Sequence, residues 1–150
     1  MKNYEINEET LAIMPKEYGN KNIIYEENDS FETTEDALKI IKHSCEEYGC
    51  TYSGRIKGSK KLLGCSGKTP LVIKGGTDII FFPINSPRNK DCTWISFNNI
   101  KDYYRDNKTT VIHFNNGKTM QTNISYGVFN NQYLKAMKLF FVLAKKNQKK

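Results

Sequence analysis

The stretch Thr109–Ile124, TTVIHFNNGKTMQTNI, decides the fold class. Asn115-Asn116-Gly117 separates two runs of strand formers, which reads as a β-hairpin. A two-residue Asn-Gly turn would pair Phe114 with Thr119 and Ile112 with Gln121, splitting the apolar residues between two faces. A three-residue loop, with Gly117 left-handed, pairs Ile112 with Met120. Ile112, Phe114, Met120 and Ile124 then share one face. Register follows the face that must be buried, so the three-residue loop is predicted.

Working outward, LVIKGGTDIIFFP (71–83) is a second hairpin signal. Leu71–Ile73 and Ile79–Phe82 are apolar runs, Gly75-Gly76 supplies positive φ at the turn, and Pro83 ends the strand. Trp94–Tyr104 also reads as strand. Tyr4–Met14, ending at Pro15, reads as a hairpin or an edge strand, and Asn22–Glu26 as a short strand. A helix follows, with Thr33 or Thr34 as cap, Glu35 and Asp36 in its first turn, and Leu38, Ile41, Cys45 and Tyr48 at helical spacing. Gly49 stops it. Thr51–Lys74 is rich in Gly, Lys and Ser, and TYSGRIKGSKKLLG reads as two short strands around an exposed basic turn. A last helix runs from about Tyr126 to Lys145, capped by Ser125, with Phe129, Tyr133, Ala136, Phe140 and Leu143 on one stripe.

These elements predict one α+β domain over residues 1–150, mostly antiparallel sheet. One helix follows the N-terminal strands, one lies at the C-terminus, and there is no helix-turn-helix. Residues 145–150 read as a frayed basic tail. A chain of 150 residues buries enough surface to fold without disulfide or metal.

Charge is divided along the chain. Residues 1–50 hold five lysines against twelve carboxylates, a net −7, whereas residues 51–150 hold eighteen Lys or Arg against four Asp, a net +14. A field of that sign attracts polyanions. No apolar stretch reaches the roughly 18 residues that span a bilayer, and the N-terminus MKNYEINEET resembles no targeting peptide, so a cytoplasmic protein is expected. The cysteines at 45, 50, 65 and 92 include no CxxC pair. They read as free, partly buried thiols, with no metal site and no cofactor.

Enzymatic chemistry is poorly supplied. The sequence has no GxxxxGK[ST] or GxGxxG. Its two histidines suggest only a His43–Cys45 or His113–Cys92 dyad, without an orienting carboxylate or an oxyanion site. No zinc finger, basic zipper or RRM signature occurs either. Binding through Gly-rich basic loops suits a DNA minor groove. Exposed Tyr could instead stack on single-stranded bases, in a sheet-based DNA- or RNA-binding module.

The blocks SCEEYGCTYSGRIKGSKK, KTPLVIKGGTDIIFFPINSPRNKDCTWIS and VIHFNNGKTMQTNISYGVFNNQYLKAM, after an opening YEINEETLAIMP, resemble the ComK family of bacterial competence transcription factors. The similarity covers residues 4–138 in order. It implies a non-enzymatic activator of DNA-uptake genes that binds paired A/T-rich promoter boxes, chiefly through the minor groove. It further implies a homodimer or higher oligomer on DNA, contact with RNA polymerase, and turnover through a Clp-protease adaptor. Longer members continue past the last helix, whereas this sequence stops at Lys150, which puts adaptor-controlled turnover in question.

The candidate DNA-binding residues are Arg55, Lys57, Lys60 and Lys61 in the Gly-rich segment, and Arg88 and Lys90 in the loop before Trp94. Their expected role is phosphate neutralisation, with Arg55 or Arg88 as a minor-groove probe. Trp94 reads as core. The broad apolar stripe of the last helix makes Phe140 and Phe141 candidate oligomer contacts.

Overall fold

The hairpin at Asn115–Gly117 takes the register that burial demands. In a computed structural model describing residues 3–148, Ile112 pairs with Met120, the Phe114 N–H donates to Lys118 O at 2.9 Å, and Gly117 has φ 90°. In chain order the elements are β1 (Thr10–Lys16), β2 (Lys21–Glu26), β3 (Ser30–Thr33), α1 (Ala37–Glu47) and α2 (Tyr52–Leu63). Then come β4 (Leu71–Lys74), β5 (Ile79–Pro83), β6 (Trp94–Ser96), β7 (Ile100–Asp106), β8 (Thr109–Phe114), β9 (Thr119–Ser125) and α3 (Tyr126–Gln148). They form a six-stranded antiparallel sheet, order β3-β2-β1-β6-β5-β4, and a three-stranded one, β7-β8-β9. The α+β, mainly antiparallel expectation stands.

Strands β4, β5 and β6 of the large sheet are covered on both faces, while β3 at the opposite edge is mostly exposed. Along β4 and β5, Leu71, Ile73, Ile79 and Phe81 join α1 residues Ile40, Ile41 and Cys45 in one core cluster. Val72, Ile80 and Phe82 join Phe129, Ala136 and Leu139 of α3, and Ile112, Phe114 and Met120 of the small sheet, in the other. Successive strand residues point to opposite faces, so a strand covered on both sides must be apolar throughout, as IIFF is. Trp94 is fully buried, as expected of a core residue.

Four expectations are corrected. Residues 52–63 form helix α2, not two strands. Thr51 Oγ1 accepts from Gly54 N at 3.1 Å, and Gly64 closes the helix at φ 65°. Tyr52, Ile56, Ser59 and Leu63 supply the helical stripe, with Leu63 in one core cluster and Tyr52 and Ile56 packed against the other. Gly54 and Gly58 each cost about 1 kcal/mol relative to Ala in a helix, and packing against β4 overrides them. Two helices, not one, therefore follow the N-terminal strands, joined by Tyr48–Thr51.

Helix α1 begins later than expected: Asp36 is its N-cap, while Thr33 ends β3 and its Oγ1 accepts from Glu35 N at 3.1 Å. Tyr4–Met14 is neither a hairpin in itself nor an edge strand: Thr10–Lys16 forms β1, which pairs with β2 on one side and β6 on the other. Its Pro15 is tolerated because β6 pairs only with Ala12 and Ile13. Finally, α3 runs to Gln148, past the expected end near Lys145, and 149–150 lie outside the described residues. Ser125 Oγ does cap α3, accepting from Val128 N at 3.3 Å.

Candidate nucleic-acid interface

Helix α2 lies along edge strand β4, turns Ser59 and Leu63 inward, and leaves Lys57, Lys60 and Lys61 exposed. Its amphipathic spacing fixes this division. The C-terminal end of α2 gathers further cations. Lys138 of α3 directs its Nζ to Leu63 O at 3.5 Å, and Lys135 Nζ donates to Gly67 O at 3.3 Å. Carbonyls at a helix C-terminus carry partial negative charge, which favours ammonium groups there. Gln132, fully buried on α3, donates from Nε2 to Lys68 O and Pro83 O, both at 2.7 Å. That clamp holds the 64–70 loop, and Lys68 with it, against the end of β5.

Lys60, Lys68 and Arg88 line one cleft of about 300 Å³, between α2, the 64–70 loop and the loop before β6. Tyr52, Ile56 and Pro87 form its apolar wall, Ser66 and Ser86 add hydroxyls, and no carboxylate lines it. No Asp or Glu occurs from Thr51 to Thr77. Among the described residues, none of Lys57, Lys60, Lys61, Lys68, Arg88, Lys135 or Lys138 is in an ion pair; salt bridges occur elsewhere, as in Lys74–Glu8 at 2.6 Å. Seven cations from four segments thus stand without a carboxylate partner, and a field of that sign attracts polyanions.

The family model for the ComK protein matches residues 1–148. This chain belongs to the ComK family. It is also 33% identical, over 135 residues, to a protein of Bacillus subtilis (strain 168) described as a competence transcription factor. That match covers 88% of this chain and 70% of the relative. No solved structure matches the chain.

The ComK-family fold separates the sequence candidates. Lys57, Lys60 and Lys61 share the exposed side of α2, and Arg88 joins Lys60 at the cleft. Arg55 is half-buried on another side of the helix, with its Nε enclosed and near Cys45. Lys90 is exposed but backs onto the turn between β1 and β2, where a Cβ built on Gly19 would lie 2.8 Å from Lys90 Cβ. Lys68, Lys135 and Lys138 escaped the sequence reading. Lys68 lies in the short link between the Gly-rich stretch and the β4–β5 hairpin, and the α3 lysines reach α2 only through tertiary packing. Of the oligomer candidates, Phe140 packs on Phe97 with ring centroids 5.6 Å apart, whereas Phe141 is 63% exposed.

The alternative chemistries find little support in this geometry. The outer side of the small sheet exposes Tyr104, but Asp102 and Asp106 lie two residues to either side. Fixed negative charge beside a stacking platform opposes a phosphate backbone. His113 Nδ1 faces Asp102 at 3.4 Å and His43 Nε2 faces Glu47 at 3.7 Å. Among the described residues, neither histidine hydrogen-bonds to a cysteine. Burial pushes the Cys92 thiol up to about 12, and burial also raises Cys45, away from reactive thiolates. All four cysteines are free, and no cluster of three metal-ligating side chains occurs among the described residues. No helix among them is long and apolar enough to cross a membrane.

Proposed function

We propose that this ComK-family chain is a DNA-binding transcription activator of competence genes. Lys57, Lys60, Lys61, Lys68, Lys135 and Lys138 neutralise phosphates, and Arg88 at its loop reaches into the minor groove of A/T-rich DNA. The observation that carries this reading is the carboxylate-free cationic face around the C-terminal end of α2. Arg88 is better placed than Arg55 as the groove probe, because it is exposed and flanks the cleft. A narrow A/T minor groove concentrates negative potential that an inserted Arg can read. Strands β4, β5 and β6, buried on both faces, offer no platform for splayed bases. On this reading the protein binds and does not turn over a substrate. Self-association on paired boxes, contact with RNA polymerase and adaptor-controlled turnover rest on the family resemblance.

The test is a gel-shift titration on duplexes with and without paired A-tracts, repeated with a minor-groove drug as competitor. With about six phosphates neutralised, log K should fall with log salt at a slope near −5. Each Lys→Ala on the α2 face should make that slope about one unit shallower for every duplex. Arg88→Ala should weaken the A-tract preference instead. Equal affinity for all duplexes, unaffected by the drug, would overturn the minor-groove mode.

A further inference from the structure

The end of α1 brings two cysteines together through its backbone. Cys50 N–H donates to Cys45 O at 3.0 Å, Gly49 N–H donates to Glu46 O at 3.0 Å, and Gly49 has φ 80°. These are the paired 6→1 and 5→2 bonds of a Schellman cap, with a left-handed glycine where it belongs. In that motif the side chains of the first and last residues touch, a contact usually made by two apolar groups. Here both are thiols. Cys50 Sγ donates to Cys45 O at 3.2 Å, which holds it beside Cys45 at the end of α1. Cys45 is fully buried, while Cys50 is half-buried, its Sγ also lying 3.8 Å from Ile73 O.

We propose that Cys45 and Cys50 are a thiol-modification site, which a low-molecular-weight disulfide converts into an intramolecular disulfide across the end of α1. Cys50, as thiolate, attacks one sulfur of RSSR and expels RS⁻, which takes up the proton Cys50 gave. Cys45 then loses its proton, and its sulfur attacks Cys50 Sγ in the mixed disulfide. The second RS⁻ leaves and collects that proton. Two protein thiols are oxidised by two electrons, and RSSR is reduced to two RSH.

Arg55 gives the second step its electrostatics. Its half-buried guanidinium lies near Cys45 and favours the thiolate there, against the burial that disfavours it. Its Nε is enclosed with no hydrogen-bond partner. A half-buried guanidinium beside a buried thiol suits a sulfur that must become briefly anionic. Arg55 is thus a positioning residue for ring closure. The bond would also act on α2, because Thr51, the next residue after Cys50, is the cap of that helix.

The test treats the folded full chain with glutathione disulfide, blocks free thiols with an alkylating agent, and maps tryptic peptides by mass. Peptide 43–55 holds Cys45 and Cys50 but neither Cys65 nor Cys92. The expected product is that peptide, unalkylated and about 2 Da lighter, for loss of two hydrogens. Cys45→Ala should stall with one glutathione on Cys50. Arg55→Ala should prolong the mixed disulfide several-fold without slowing its formation, and Arg55→Lys should restore closure in part. A lasting mixed disulfide on Cys50 of the wild-type chain would overturn the proposal, as would modification confined to Cys65. The wild-type map decides the matter even if a variant fails to fold, and its outcome does not depend on DNA binding.

Discussion

Replacing Gln132 by Leu tests how the fold presents its cationic face. Gln132 is fully buried, and its Nε2 donates to both Lys68 O and Pro83 O at 2.7 Å. Leucine is of similar size, so no large cavity opens, but both carbonyls lose their donor. Lys68 is an exposed loop residue, so water can replace the bond to its carbonyl at a net loss of about 1 kcal/mol. Pro83 is buried, and an unsatisfied carbonyl there costs about 1–3 kcal/mol. Gln132 Oε1 is itself buried without a partner, and removing it returns part of that loss. The net destabilisation is about 2–3 kcal/mol, or a melting temperature lower by about 4–12 °C for a domain of this size. Thermal unfolding followed by circular dichroism reads it directly. Gln132→Glu should be worse than Gln132→Leu, because it sets a carboxylate against two carbonyl oxygens. Below the transition, the variant should also bind A-tract duplex more weakly, because the loop carrying Lys68 is released. A melting temperature within about 1 °C of wild type, or Glu better tolerated than Leu, would refute the clamp.

Other consequences follow from the packing and the ionisable groups. Phe82→Ala should cost about 3–5 kcal/mol in chemical denaturation, because its buried ring meets Phe129 and Tyr133 edge-on at 5.7 and 6.3 Å. Burial raises Tyr103 from its ordinary 10.0 to about 12 and Cys92 from 9.0 to about 12. Above those ordinary values the unfolded chain loses protons that the folded chain keeps, so stability should fall as pH rises from about 9 towards 12. Tyr103→Phe should flatten the upper part of that fall in melting temperature against pH. Glu8 is held below its usual range by its hydrogen bond from Lys74, so the pair's small, solvent-screened contribution should fade as pH drops through Glu8's lowered pKa. A Glu8→Gln melting profile should then lack that acid-side component. Lys60→Glu with Lys61→Glu should leave the melting temperature nearly unchanged, since both side chains are exposed, while strongly weakening duplex binding in the gel shift.

The sequence alone determined the features set by local rules. Strand alternation and the need to bury one face fixed the register at Asn115–Gly117. Doubly apolar runs marked β4 and β5, Ser125 marked the start of α3, and the motif blocks marked the family. The sequence also placed the excess positive charge after Cys50, because charge is a matter of composition. What it could not determine was which way the Gly-rich segment folds. Gly54, Gly58 and Ser59 argue locally against helix, and only the sheet edge that Ile56 and Leu63 cover decides for it. The site followed the same division. Lys57, Lys60, Lys61 and Arg88 could be named from charge and loop context. Their union with Lys68, Lys135 and Lys138, and the turning of Arg55 towards Cys45, depend on contacts between segments far apart in the chain. No periodicity encodes such contacts, because they exist only once the two cores have formed and α3 has crossed the sheet.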